Sequence, residues 1–265
     1  MFFSDTNYQP ATFPLYKKLW IIIQTLKHPS ALIVDRLGIR KLIIYRTRNG
    51  IRFLSRSKTT DINEAIVVLS GKEYSEDLLD ISSQNNPVVV DAGGNIGFFC
   101  LYINKLNPSA KIITIEPYAE NIVLLQKNLS LNGLQDVVIV PLALSNSSGT
   151  SRFEVKEYHF DGGRITDDES TSNTFIETTT LEVIFDTYKI GNVDLLKMDI
   201  EGSEFDVIQA SLDLLSKRVR RIVIEYHASV KADGRDFLVE SLQASTFKLI
   251  YESKNILGFH NLLYK

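Results

Sequence analysis

The chain has 265 residues, 44% of them hydrophobic and 23% charged, which excludes a disordered or collagen-like polymer and fits one α/β domain with an extension. Lys and Arg number 29 against 32 Asp and Glu, a net charge of −3, so no bulk basic field is present to hold nucleic acid. The single cysteine, Cys100, excludes an intramolecular disulfide and any multi-cysteine zinc site, and its place after Phe98 and Phe99 in an apolar run marks it as a buried thiol.

The first apolar stretch, Leu19 to Ile23, is far shorter than the ~20 residues a membrane span requires. Lys17 and Lys18 precede it in the manner of a signal peptide, but no small-residue cleavage site follows. The stretch is therefore read as an amphipathic helix, packed on the domain or touching a partner. With no targeting or transmembrane segment, a cytoplasmic location is expected. Pro29-Ser30 opens a second helix through Ala31, Leu32, Val34 and Leu37, which Gly38 stops. Lys41 to Tyr45 and Ile51 to Leu54 flank Asn49-Gly50, the strongest short hairpin signal available. Residues 1–60 thus read as a helical extension with a β-hairpin, and 61–265 as the main domain. A helical stretch with Ile62, Ala65, Ile66 and Leu69 opens that domain.

From residue 87 short apolar runs alternate with helical patterns. The runs are Val88 to Val90, Ile112 to Ile115, Val137 to Val140, Val193 to Met198 and Ile222 to Ile224. The helical patterns cover about 96–106, 119–131, 203–216 and 231–243. Such alternation builds βαβ units, and strands that are apolar on both faces belong to a buried parallel sheet. Phe247 to Tyr251 and Leu257 to Tyr264 then follow each other too closely for a parallel crossover, so they must pair antiparallel. Residues 144–180 form an insert. Strands are expected at Thr150 to Lys156 and Phe175 to Thr180, with a polar irregular loop from Tyr158 to Asn173 read as a lid or substrate-selecting segment.

The segment Val90-Asp91-Ala92-Gly93-Gly94-Asn95-Ile96-Gly97 joins the first parallel strand to a helix, at the sheet edge where open α/β folds bind ligands. A dinucleotide loop requires Gly-x-Gly-x-x-Gly, and Ala92 holds the first place of that register. Asp91 stands against the loop, where it would repel a pyrophosphate and attract an ammonium. That chemistry favours S-adenosylmethionine, whose amino and sulfonium groups are positive. Glu116 ends the second strand 19 residues beyond Gly97, where an acid accepts hydrogen bonds from both ribose hydroxyls.

Asp199 lies where the fourth strand meets the Glu201-Gly202-Ser203 turn, on the same sheet edge. Ser203 and Asp206 resemble a capping box, and Glu204 is read as structural. Glu225 and His227 end the fifth strand two residues apart, which on a strand puts them on one side. Two readings stand. Asp199, Glu225 and His227 ligate a divalent metal, Mg²⁺, Mn²⁺ or Fe²⁺. Alternatively, Asp199 or His227 is the catalytic base that takes a proton from a nucleophilic hydroxyl.

Over roughly residues 40–265 the chain resembles the FkbM family of class I methyltransferases. The resemblance rests on VVVDAGGNIGFF, IEPYAEN, LNGL, PLALSNSSG, TTTLEVIFD and above all LLKMDIEGSEFDVI with its Asp-x-Glu-Gly-x-Glu pattern. It implies a Rossmann-like α/β fold, with a mostly parallel seven-stranded sheet ending in an antiparallel hairpin. It also implies methyl transfer from S-adenosylmethionine, usually to a hydroxyl of a sugar or secondary metabolite, hence a small-molecule or glycan acceptor. By the same resemblance Asp91, Gly93 and Gly97 hold the methionine part with help from Asn95. Glu116 holds the ribose, Leu142 and Ala143 line the adenine, and Asp199 lies beside the transferred methyl. Some relatives bind a metal with acids at these strand ends. Glu182 stands where the family often carries Asp. The rival readings are a non-catalytic nucleoside-binding module of the same fold and a nicotinamide-dependent oxidoreductase, and an oligomer is left open.

Overall fold

The structure, a computed structural model, describes residues 15–156, 159–166 and 174–264. It divides into two compact units, Met1–Lys58 and Thr59–Lys265.

The first unit contains α1 (Leu15–Thr25), α2 (Ala31–Leu37), β1 (Leu42–Arg46) and β2 (Arg52–Arg56). The expected hairpin is present: β1 and β2 pair antiparallel with Tyr45 opposite Phe53, their rings stacked 5.3 Å apart. Gly50 takes φ 100° in its turn, a conformation open to glycine at no steric cost. Gly38 closes α2 at φ 64°, the left-handed C-terminal stop expected there. Asp35 is buried and joins helix to hairpin. Its carboxylate accepts hydrogen bonds from the Tyr45 hydroxyl (2.6 Å) and the Lys58 N–H (2.8 Å).

The second unit begins with α3 (Asp61–Leu69) and α4 (Glu76–Leu79), followed by β3 (Val88–Ala92), α5 (Phe98–Leu106), β4 (Lys111–Ile115), α6 (Ala119–Leu131) and β5 (Val138–Val140). Next come β6 (Ala143–Leu144), β7 (Gly149–Lys156), β8 (His159–Ile165), β9 (Thr174–Thr179) and α7 (Leu181–Thr187). The chain then forms β10 (Leu195–Met198), α8 (Glu204–Arg218), β11 (Arg221–Glu225), α9 (Gly234–Ala244), β12 (Phe247–Ser253) and β13 (Ile256–Asn261).

Seven strands form one sheet in the order β12-β13-β11-β10-β3-β4-β5. The five inner and β5-side strands run parallel, while β13 is antiparallel to both β11 and β12. The hydrophobic effect explains the choice of residues. β10 and β11 are buried along their whole length, and each fully buried Val, Leu or Ile contributes about 1.5–3 kcal/mol relative to exposure. The C-terminal hairpin turns over Lys254 and Asn255, tighter than the five-residue link expected, with Lys254 at φ 52°.

The insert differs from expectation. β7 and β9 fall where expected, but β8 occupies part of the stretch read as irregular, and β6-β9-β7-β8 form a second, four-stranded sheet. Phe153 is its buried apolar anchor, and Gly163 on the facing strand leaves the space its ring fills. One buried aromatic in an otherwise polar segment is too weak a pattern to read as a sheet. Residues 157–158 and 167–173 of the expected lid lie outside the described residues.

Candidate active site

After β3 the chain proceeds to β4 and β5 on one side, then returns to lay β10 and β11 on the other. The gap between the C-terminal ends of β3 and β10 is therefore a topological switch point, where open α/β sheets bind ligands. Register sets the chemistry there. Asp91 pairs with Lys197 and Ala92 with Met198, and the Asp199 N–H donates to the Ala92 carbonyl at 2.9 Å. The glycine loop folds back over the strand ends. Gly93 and Gly94 N–H groups both donate to the Ile115 carbonyl at 3.0 Å. Gly93 takes φ 88°, and a β-carbon on it would overlap the Asp199 carbonyl oxygen. Only glycine satisfies both conditions.

Asp91 is fully buried, and its charge is answered within the chain. Lys197 Nζ lies 3.3 Å from Oδ1, while Oδ2 accepts from the Thr114 hydroxyl (3.2 Å) and, weakly, the Cys100 thiol (3.5 Å). Lys197 also donates to the Gly93 carbonyl at 2.9 Å and stands 3.6 Å from Asp199 Oδ2. Burial opposes its charge, but Asp91 first and then Asp199 outweigh this and hold its pKa above the ordinary lysine value. One ammonium thus ties the loop, its carboxylate and the candidate catalytic acid together. Burial, and then Asp91, push the Cys100 thiol well up, so it stays protonated as a structural group.

Asn95 turns the loop at φ 44°. Its N–H donates to Glu116 Oε2 (2.9 Å) and its side-chain amide donates to Glu64 Oε2 (2.7 Å). Glu116 Oε1 accepts from the Tyr118 N–H (3.0 Å) and the Asn121 amide (3.2 Å). Burial pushes Glu116 up to about 7, against the pull of those donors. A carboxylate offers about four acceptor positions, so these three bonds leave one open on Oε2. The buried Asn95 Oδ1 has no hydrogen-bond partner. Two unfilled acceptors beside a glycine turn fit a ligand rich in donors, such as a ribose diol or an ammonium. Leu142 is half-buried against the core, and Ala143 is buried in β6 opposite Thr178.

The turn after β10 is unusual. Glu201 at φ 55° and Gly202 at φ 109° are both left-handed, and Glu201 is not a residue that favours that region. The expected capping box is absent: Ser203 has helical backbone angles and makes no side-chain cap. Glu204, fully buried, instead ties down the turn that precedes the helix. Its Oε1 accepts from the Ile200 N–H (2.9 Å) and its Oε2 from the Gly202 N–H (2.8 Å). The same Oε1 lies 2.9 Å from His227 Nδ1, which fixes the ring and turns Nε2 toward Glu201 (3.6 Å) and Asp199 (3.9 Å). Burial disfavours a charged imidazole, yet Glu204, Asp199 and Glu201 together lift the His227 pKa to about 10.

The proposed ligand set therefore needs a correction. Among the described residues, the groups at this rim whose ligand atoms lie within 4.8 Å of one another are Asp199, Glu201 and His227. Glu225 is buried with its carboxylate bonded by Asn255 Nδ2 (2.7 Å) and the Tyr74 hydroxyl (3.3 Å). Strand alternation does not carry from Glu225 to His227, because β11 ends at Glu225. The sequence reading also missed Glu64 and Lys197. Glu64 reaches the loop from α3 through tertiary packing alone. Lys197 had a signal: a lysine inside a four-residue buried strand requires a partner.

Sheet order, glycine loop and acidic strand ends together define a Rossmann-like class I methyltransferase. The chain belongs to the FkbM family: the family's methyltransferase domain matches residues 91–249. Membership makes it a methyltransferase and implies S-adenosylmethionine as its methyl donor. It is 29% identical over 184 residues to the methyltransferase sdnD of Sordaria araneosa, covering 57% of this chain and 71% of that one. It is 25% identical over 179 residues to the hexuronic acid methyltransferase AglP of Haloferax volcanii, covering 67% and 72%. Among solved structures, an FkbM methyltransferase from Methylobacillus flagellatus aligns at 18% identity and TM-score 0.47, over 66% of this chain and 43% of that one. Among the described residues no helix is long and apolar enough to cross a membrane.

Proposed function

We propose that the chain methylates a hydroxyl group of a small-molecule or glycan acceptor, a sugar or a secondary metabolite. The observation that carries this reading is the partly exposed Asp199 carboxylate, steadied by Lys197 on a residue whose backbone carbonyl packs against Gly93 of the glycine loop. S-adenosylmethionine supplies an electrophilic methyl on a sulfonium that departs as a neutral thioether. Glu116 and Asn95 offer acceptors to the ribose and amino groups, and the glycine loop admits the chain between them. Leu142 and Ala143 are assigned to the adenine by the family resemblance. Asp199 accepts the hydroxyl proton as the oxygen bonds to the methyl carbon and the sulfur–carbon bond breaks. His227, held as an imidazolium, has no lone pair to take that proton; its part is to offset the negative charge of Asp199, Glu201 and Glu204. Alignment supplies most of the rate, with general-base help adding typically a factor of about 10²–10⁴.

The sugar acceptor draws support from the relative named as a hexuronic acid methyltransferase. An acceptor screen with uronic acids, neutral sugars and hydroxylated metabolites, read as S-adenosylhomocysteine release, tests the reading. Methylation confined to nitrogen or carbon acceptors would overturn it.

A divalent cation is a second reading favoured by one specific arrangement. In this reading the cation displaces the Nε2 proton of His227, so that Asp199, Glu201 and Nε2 suit Mg²⁺ or Mn²⁺, and Glu204 on Nδ1 is the outer carboxylate that metal-binding histidines usually have. Held there, the cation would polarise the acceptor oxygen and ease its deprotonation. A rise in melting temperature with Mn²⁺, lost in His227→Ala, is expected if these residues bind it.

A further inference from the structure

The overall charge of −3 conceals two opposite parts. Residues 1–58 contain eleven Lys and Arg against two acids, a net of +9, whereas residues 59–265 contain eighteen against thirty, a net of −12. Within the basic unit, α1 presents Tyr16, Leu19, Trp20 and Ile23 at 67%, 43%, 60% and 45% exposure. Their i, i+3, i+4, i+7 spacing puts them on one helix face. Among the described residues of its unit, that face stays exposed. The unit holds α1 at its C-terminal end: Thr25 and Leu26 are buried, Arg48 N–H donates to the Thr25 carbonyl (2.9 Å), and Arg48 Nε donates to the Ile23 carbonyl (2.7 Å). Ile33 and Leu37, one turn apart on α2, are also exposed. Eight of the seventeen large exposed hydrophobics among the described residues lie in this small unit, so the apolar surface is concentrated where the positive charge is.

We propose that the N-terminal unit docks the protein on an anionic lipid surface through the apolar face of α1. Aromatic and aliphatic side chains enter the boundary between headgroups and acyl chains, and Lys17, Lys27 and the neighbouring basic residues meet the lipid phosphates. Trp and Tyr favour that boundary because their rings are apolar with a polar edge. A nucleic acid would satisfy the charge but leave four large apolar side chains in water. A second copy of this unit would bring +9 against +9. At eleven residues α1 lies far short of the ~20 needed to span, so it rests in the interface. The surface belongs to the N-terminal unit, and its role stands apart from methyl transfer.

Trp20 is the only tryptophan, so its emission reports on this face directly. The full chain is mixed with phosphatidylcholine vesicles, with or without phosphatidylglycerol, and followed by tryptophan emission and co-sedimentation. A blue shift and at least tenfold stronger binding to the anionic vesicles are expected, weakened by 0.5 M salt through screening. Leu19→Glu/Ile23→Glu should lower binding more than tenfold while melting temperature and S-adenosylhomocysteine binding stay as in the parent. Lys17→Glu/Lys27→Glu, both at exposed positions, should reduce the preference for anionic over neutral vesicles. No emission shift with anionic vesicles at 0.1 M salt overturns the proposal. So does equal binding to neutral vesicles, a shift produced by raising protein concentration without lipid, or RNA binding that persists in Leu19→Glu/Ile23→Glu while vesicle binding is absent.

Discussion

Gly93 and Asp199 meet backbone to backbone: the α-carbon of the first rests against the carbonyl oxygen of the second, with no room for a side chain between them. The glycine loop and the turn after β10 are therefore one packed unit. Gly93→Ala would meet two penalties, a left-handed φ of 88° and overlap with a backbone oxygen that α8 and its turn hold in place. A loss of roughly 2 kcal/mol or more in unfolding free energy is expected. Binding of S-adenosylhomocysteine should fall with it, because the loop can relieve the clash only by moving off the strand ends. Denaturant unfolding and calorimetry check the two effects separately.

Lys197 joins the same elements electrostatically. Removing it by Lys197→Met leaves the fully buried Asp91 without its cation, and breaking a buried pair from one side typically costs about 3–5 kcal/mol. The double variant Asp91→Asn/Lys197→Met removes both charges and should recover much of that loss. Thermal or urea unfolding of the parent, the two single variants and the double variant measures the coupling. If the double variant is no more stable than Lys197→Met, the ion pair is not what holds the loop.

If Glu116 holds the ribose as proposed, cofactor binding depends on pH. Its pKa of about 7 in the fold means that this carboxylate is mostly protonated at pH 6 and mostly ionised at pH 8. Affinity for S-adenosylhomocysteine should therefore rise with pH through 7, by up to about tenfold across that range, with a proton released on binding. For folding, a raised carboxyl pKa is favourable below its unfolded value of about 4.5, and that advantage is lost as pH rises through 7. Glu116→Gln should bind more weakly at every pH and show a flat profile. Calorimetry in buffers of different ionisation enthalpy reads both the affinity and the proton.

The sheet was legible because its strands are short runs of Val, Ile and Leu, buried on both faces and spaced by helices. That pattern also put Asp91, Glu116 and Asp199 on one edge, since each directly ends or follows such a run. Contacts that cross elements were not legible. Glu64 bonds to Asn95 because α3 packs beside the loop, and no local spacing encodes that. Glu225 and His227 misled because alternation holds only while the strand lasts, and the strand stops at Glu225. Glu204 stood where helix-dipole reasoning made it ordinary, and only the positive φ angles before it reveal a turn that needs its two acceptor oxygens. The basic N-terminal unit was concealed by averaging, because its +9 cancels against −12 in the whole-chain sum.

Asp199→Asn tests the chemistry with the least change in shape. The amide keeps the volume and still accepts a hydrogen bond, but it cannot take a proton from an acceptor hydroxyl. The β10 register and the Asp199 N–H bond to Ala92 are backbone features and survive the change. The cofactor groups assigned to Glu116 and Asn95 are untouched, so the dissociation constant for S-adenosylhomocysteine should stay within about threefold of the parent, under 1 kcal/mol. Turnover should fall by about 10²–10⁴, the usual worth of a general base. Rate and affinity would then separate, placing Asp199 with the reacting atoms. Were turnover and affinity to fall together, Asp199 would instead be a binding residue, and the proton would have to leave through Glu201 or through water.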